Sequence, residues 1–246
     1  MNISASTAQV PGEEGRPIDH HVAVPEGDGR KPALILIFEI FGLNSHIKDV
    51  TERFGKEGYV TAAPDLYYRL DKRTAPNNDR DAAFALRGTL YDDKIVEDLN
   101  RTLAYLKSRN DVDPNKIGIV GYCFGGRVSW LGACKVPGLA ACSVYYGGQI
   151  VGGERGEKSP VEPVTLANNI KIPMQCVWGE EDQAIPKDAR DKIEGGLKAN
   201  KVDYEWHLYK GAGHAFFCDD RPSYHEASAK DIWPKTLAFF AKHLKN

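Results

Sequence analysis

The sequence predicts an α/β fold, doubly wound around a mostly parallel sheet with helices on both faces. Three observations carry that expectation. Short runs such as Ala33–Phe38, Ile117–Val120 and Ala140–Tyr146 are apolar almost throughout, as strands covered on both faces are. Between them lie longer segments with apolar residues at helical spacing, so strand and helix alternate along the chain. Several runs stop at a cluster of glycine with an acid, a cysteine or a histidine, at the strand ends where sites of such folds form. A length of 246 residues with 42% apolar content fits a single domain over residues 1–246.

The elements follow in order. Residues 1–31 read as a polar, Gly- and Pro-rich N-terminal segment, partly extended, with one short strand at His21–Val24. Pro32 leads into the strand Ala33–Phe38, which abuts Glu39. A helix is expected from Ser45, with Ser45 as its cap and Ile47, Val50 and Phe54 along one side. Tyr59–Ala63 is the next strand, and residues 65–80 are a charged excursion over the surface. A helix from Asp92 to Arg109 sets Val96, Leu99, Leu103 and Leu106 on one stripe, and Asn110–Asn115 is a turn. After the central strand come a helix beyond Gly126, the strand Ala140–Tyr146, a loop to Asn169 and the strand Ile172–Trp178. A helix starting at Pro186, the alternating strand Tyr204–Tyr209 and a helix over Tyr224–Leu244 complete the chain. Pro234 should kink or restart that last helix.

Composition excludes several function classes. A net charge of −2 and a pI near 6.4 give no nucleic-acid footprint. The seven histidines show no zinc-ligand spacing, and no phosphate-cradling loop is present, so no metal and no cofactor is expected. The five scattered cysteines lack C-x-x-C pairs, which points to free thiols in a reducing, cytoplasmic setting. No membrane is expected as a partner, because no apolar run approaches spanning length. The start lacks the basic and apolar regions of a signal peptide. Monomer and homodimer both stay open.

Chemistry is suggested by Gly121-Tyr-Cys-Phe-Gly125, a G-x-C-x-G with the spacing of a nucleophile elbow. A strand turning sharply into a helix strains the residue between them, and small residues two positions to either side let the backbones pass. Cys123 would then project beyond the sheet at the positive end of a helix, which favours a thiolate. The N–H of Phe124 would be free to face a developing oxyanion. The plain alternative is a small buried cysteine. A thiol nucleophile needs a base, and the base needs an orienting acid. Of the histidines, only His214 lies just past a strand, since His20, His21, His46, His225 and His243 fall in the N-terminal segment or surface helices and His207 inside a strand. Asp182 is thrown off a strand end by Gly179-Glu-Glu-Asp182. Singly, His214 reads equally as a solvated loop residue and Asp182 as a helix cap. The order nucleophile, acid, histidine at three strand ends favours a catalytic triad.

These residues resemble the dienelactone hydrolase family, the carboxymethylenebutenolidase-like branch of the α/β-hydrolase fold. The resemblance runs from about residue 33 to the end through Glu39-Ile-Phe-Gly-Leu-Asn44, Ala63-Pro-Asp-Leu-Tyr67, Gly121-Tyr-Cys-Phe-Gly-Gly126, Tyr145-Tyr-Gly147, Gly179-Glu-Glu-Asp182, Gly213-His-Ala-Phe216 and the Tyr224–Phe240 helix. It implies Cys123 as nucleophile, His214 as base, Asp182 as its partner, and an oxyanion hole from the N–H groups of Ile40 and Phe124. It implies that Glu39 controls the thiol: at rest it is held near Cys123 instead of pairing with a surface cation, and it helps form the thiolate only when substrate arrives. The implied reaction opens a small enol-lactone or activated ester through an acyl-thioester, the reference substrate being a carboxylated dienelactone. The family's arginine shortly after the histidine is absent, with Cys218 in its place. Arg80, Phe84, Tyr146 and Arg221 are the remaining candidates for substrate binding. The alternatives are a general carboxylesterase for neutral esters, favoured by the missing arginine, and a thiol sensor on a hydrolase scaffold.

Overall fold

Lys31–Ile37 form a strand, β3, whose side chains from Ala33 onward have no exposed surface. In the computed structural model, which describes residues 1–153 and 156–245, seven further strands join it. They are β1 (Ile3–Pro11), β2 (Pro17–Pro25), β4 (Val60–Pro64), β5 (Val112–Tyr122), β6 (Ala141–Tyr145), β7 (Met174–Gly179) and β8 (Tyr204–Tyr209). Their order across the sheet is β1-β2-β4-β3-β5-β6-β7-β8. From β4 to β8 every pairing is parallel, and β1 and β2 add an antiparallel hairpin at one edge.

Helices α1 (Ser45–Lys56), α2 (Arg80–Arg87), α3 (Asp92–Ser108), α4 (Phe124–Lys135), α5 (Lys187–Ala199) and α6 (Glu226–Leu244) lie between and after the strands. Consecutive residues of β5 show how both faces are covered, because side chains alternate along a strand. A Cβ at Gly118 would meet Phe240 and Leu244 of α6 at 3.0 and 3.1 Å. Ile119 points the other way, into Gly132 of α4, where Leu99 of α3 also arrives. On the α6 side, Phe54 of α1 packs against Trp233 and Phe240. The doubly wound parallel sheet expected from the sequence is therefore present.

Several local expectations are corrected. The N-terminal segment holds two nine-residue strands in register from Ile3↔Pro25 to Pro11↔Pro17, not one short strand. β1 is largely exposed, so its sequence, ISASTAQVP, carries no apolar alternation to announce it. Asn44, not Ser45, caps α1, its side chain accepting from Ile47 N at 3.0 Å. The turn placed at Asn110–Asn115 is partly strand: Val112 pairs with Lys31 ahead of a register shift that absorbs the polar stretch. In the 65–80 excursion, Leu66, Tyr67 and Tyr68 are fully buried, and helix α2 follows, capped by Asp79. His20 and His46 are buried instead of lying on the surface. α6 is a continuous helix through Pro234. The loop after β6 contains a 3-10 stretch at Pro163–Asn169, whose first carbonyl accepts from Trp130 at 2.9 Å; residues 154 and 155 of that loop lie outside the described residues.

Candidate active site

β5 runs into α4 with a single residue, Cys123, between them. Its φ of 55° and ψ of −115° are strained for any residue with a side chain. The flanking glycines are required sterically. A Cβ at Gly121 would strike the Gly125 carbonyl, and one at Gly125 would strike the Ile37 carbonyl and come within 2.7 Å of Phe38 O. The end of β3, and with it Glu39 and Ile40, is thus pressed against the elbow. Gly126 is equally tight, its Cβ position 2.6 Å from Tyr145 O.

His214 comes to the sulfur on the loop after β8. Its Nε2 lies 3.0 Å from Cys123 Sγ and its Nδ1 lies 2.7 Å from Asp182 Oδ2. Nδ1–H therefore donates to the carboxylate and Nε2 faces the thiol. Asp182 is buried, and its other oxygen accepts from the N–H groups of Ala184 and Ile185 at 2.8 and 3.2 Å. The acid is fixed on both sides. The two loops meet at Gly179, where a Cβ would strike the Ala212 carbonyl. Arg190, buried in α5, donates to the carbonyls of Gly179 and Ile185 at 3.1 and 2.7 Å and so holds the acid's loop. Burial of the His214 ring opposes protonation. The charge of the Cys123 sulfur and the hydrogen bonds to Asp182 and Cys123 outweigh it and hold the pKa well above the ordinary histidine value. The arrangement can hold a proton between sulfur and imidazole and present the sulfur to an electrophile.

Ile40 N–H has no hydrogen-bond partner among the described residues, and Phe124 N–H, at the first position of α4, has none within the helix. Tyr67 Oη donates to the Ile40 carbonyl at 3.0 Å, fixing that peptide. Glu39 departs from expectation. It is buried, but its Oε2 accepts from Arg221 at 3.3 Å, and Cys123 is bonded to His214 instead. A carboxylate this deep needs a cation, and Arg221, half-buried over the Phe41 ring, supplies it.

The other candidates separate. Tyr146 is fully buried, with its ring 5.3 Å from that of His214, so it supports the imidazole from behind. Arg80 is exposed at the start of α2, beside Phe84 and in a surface depression with Pro76, Asn78, Asp79 and Asp81. Phe84 is half exposed. Cys218 is buried, and burial pushes its thiol up to about 12, so it is neutral. Sequence reasoning missed Arg190 and also Arg127, which forms a buried bidentate pair with Asp92 at 2.6 and 2.8 Å. An arginine inside the otherwise apolar α4 was the available signal for Arg127; Arg190 had none. Cys123, Tyr146, Gln149 and Ala215, with φ of 55°, 36°, 60° and 60°, place four side-chain-bearing residues of this region in the left-handed half of conformational space.

Comparison with known proteins agrees with the geometry. The profile of the family described as "Dienelactone hydrolase family" matches residues 18–244. The chain belongs to the dienelactone hydrolase family. A Salmonella typhimurium protein named "Putative carboxymethylenebutenolidase" is 36% identical over 245 residues, covering 98% of this chain and 88% of that protein. A Synechocystis protein of the same name is 35% identical over 252 residues, covering 100% of this chain and 99% of its own. A crystal structure from Klebsiella pneumoniae, titled as a "Putative Dienelactone Hydrolase", superposes with a TM-score of 0.92 at 34% identity, covering 99% of this chain and 100% of that one. The protein is an α/β-hydrolase-fold enzyme of this family, a carboxylic-ester hydrolase. No helix among the described residues is long and apolar enough to cross a membrane.

Proposed function

We propose that the protein is a cysteine-dependent hydrolase that opens a small enol-lactone or activated ester through an acyl-thioester. The observation that carries this reading is the unbroken chain Asp182–His214–Cys123, at 2.7 and 3.0 Å, with the sulfur on a strained elbow. In the proposed cycle the thiol proton rests on His214 Nε2 while the sulfur adds to the substrate carbonyl. The oxyanion falls between the N–H groups of Ile40 and Phe124 at the positive end of α4. The ring C–O bond then breaks, His214 returns the proton to the leaving enol oxygen, and the acyl group stays on sulfur. Water, deprotonated by His214, attacks the thioester, releases the acid and restores the thiol. Asp182 fixes the tautomer and stabilises the imidazolium. Glu39 acts on the thiol only if its pair with Arg221 opens. The five free cysteines support a reducing cytoplasmic location.

A general esterase for neutral esters is the second reading, favoured by the neutral, buried Cys218 where the resemblance places an arginine. A panel of enol-lactones and aryl esters, assayed with wild type, Cys123→Ala and iodoacetamide-treated enzyme, tests the mechanism. Hydrolysis should vanish in both treated forms, with Cys123 the alkylated residue. Full activity in Cys123→Ala would end the proposal.

A further inference from the structure

The first turn of α1 and the loop after His214 meet at three side chains that the proposed cycle does not use. His46 is the second residue of α1, and Asp219 and Asp220 lie on the loop. One ligand-capable atom from each, a ring nitrogen and a carboxylate oxygen of either acid, lies within 4.8 Å of the other two. His46 is 4% exposed, and its buried Nδ1 has no hydrogen-bond partner among the described residues. A buried polar atom of this kind calls for a partner.

Nδ1 does approach Asp219 Oδ1, at 3.1 Å, but off the line that a hydrogen bond requires. Such a separation suits two ligands of one ion. With Zn–N and Zn–O lengths of about 2.1 Å, atoms 3.1 Å apart subtend about 95° at the metal, between the octahedral and tetrahedral values. Arg53 donates to the other oxygen, Asp219 Oδ2, at 2.6 Å, which orients the carboxylate and leaves Oδ1 toward the imidazole. Arg53 is also paired with Asp49. Three acids, Asp49, Asp219 and Asp220, thus face a single arginine, and the balance of two negative charges matches a divalent cation. Asp220 is exposed and in no ion pair among the described residues.

We infer that His46 Nδ1, Asp219 Oδ1 and an oxygen of Asp220 form a site for a divalent transition-metal ion such as zinc, with water completing its shell. The imidazole nitrogen selects zinc, cobalt or nickel over magnesium and calcium, which prefer all-oxygen shells. Histidine spacing is silent on such a site, because two of its three ligands are acids far along the chain. The ion staples α1 to the loop that carries Arg221, the partner of Glu39. It uses none of Cys123, His214 and Asp182, so the inference stands apart from the hydrolytic reading.

The test is calorimetric titration of zinc chloride into the full chain carrying Cys123→Ala, which removes a thiol that would compete for zinc. One ion should bind per chain, and magnesium should not displace it. Asp220→Asn and His46→Gln, each added to that background, should weaken binding by more than the roughly 10- to 100-fold that loss of a ligand's supporting hydrogen bond produces. Zinc should raise the melting temperature of the Cys123→Ala protein and leave that of its Asp220→Asn form unchanged. Because Asp220 is exposed, Asp220→Asn decides the matter even where His46→Gln fails to fold. The cobalt form should show weak visible bands without the strong near-ultraviolet band of a cobalt–thiolate bond. Absence of saturable zinc binding, or undiminished affinity in Asp220→Asn, would overturn the site. A cobalt–thiolate band would place the ion on a cysteine and overturn it equally.

Discussion

The two sides of Cys123 are built differently. On the His214 side, three strand ends meet with almost no free space: Gly179 admits no Cβ against the Ala212 carbonyl, Asp182 is held through both oxygens, and Arg190 ties down its loop. On the Arg87 side, an eight-residue helix and the loop after β6 enclose an open cavity, and one glycine there, Gly156, is loose. Among the described residues, a Cβ at Gly156 would meet nothing within 4 Å. The His214 side is fixed by close backbone contacts at the strand ends. The other side is formed by a short helix and a loop that can differ without disturbing those contacts.

The largest effect expected from breaking this comparison is chemical. Asp182→Asn keeps the shape but loses the charge that sets the His214 tautomer, so kcat should fall on the order of 10⁴-fold with little change in melting temperature. Steady-state kinetics checks this, with the exposed neighbour Glu181→Gln as control. Equal loss in both variants would move the role to another acid.

Next is the steric contrast. Gly179→Ala should destabilise the protein by about 2–3 kcal/mol in denaturant unfolding, because the new methyl must displace backbone. It should also lower kcat more than 10-fold by parting the two loops.

A third prediction separates the site from the scaffold. His20 is buried, with Nδ1 2.9 Å from Ile18 O and Nε2 2.9 Å from Thr102 Oγ1, and burial lowers its pKa to about 4. A depressed histidine favours the neutral form, so its contribution is complete above the unfolded pKa of about 6.5 and is lost as pH falls toward 4. That amounts to about 3 kcal/mol between pH 7 and 4. Asp65 acts oppositely: burial raises it to about 6, so the fold gains protons and stability from it as pH falls through that value. The difference between wild type and His20→Gln cancels the Asp65 contribution. Wild type should lose about 3 kcal/mol more than the variant over this range. Parallel curves would show that His20 titrates alike in the folded and unfolded chain, against this account.

The smallest effect completes the comparison. Gly156→Ala should change stability by no more than about 0.5 kcal/mol and leave kcat within twofold, since open space receives the methyl. A loss as large as that of Gly179→Ala would show that the Arg87 side is as tightly built as the other.

What the sequence revealed follows the same division. Nearly continuous apolar runs located β3, β5 and β6, because burial on both faces removes most polar residues. The glycine-bearing turns located Cys123, Asp182 and His214: at Gly121, Gly125 and Gly179 only glycine tolerates the close backbone approach, and at Gly211 the backbone is left-handed. The β1–β2 hairpin was hidden by its exposure, since an edge strand facing water has no pattern to keep. Glu39 was identified as buried, but its partner was not, because Arg221 lies 182 residues away. Arg190 escaped for the same reason: a lone arginine on a helix carries no local mark of what it faces.

The left-handed backbones at Cys123, Tyr146, Gln149 and Ala215 bear on any effort to make this enzyme hardier. Each such residue costs on the order of 1–3 kcal/mol relative to a relaxed backbone, and the packed sheet compensates. Glycine at these positions would relieve strain, so a screen for heat resistance alone would be drawn to them. Glycine at Cys123 would remove the proposed nucleophile, and at Tyr146 the ring behind His214. Selection for durability and selection for turnover pull in opposite directions here, and thermostabilising changes belong in the β1–β2 hairpin and the outer helix faces.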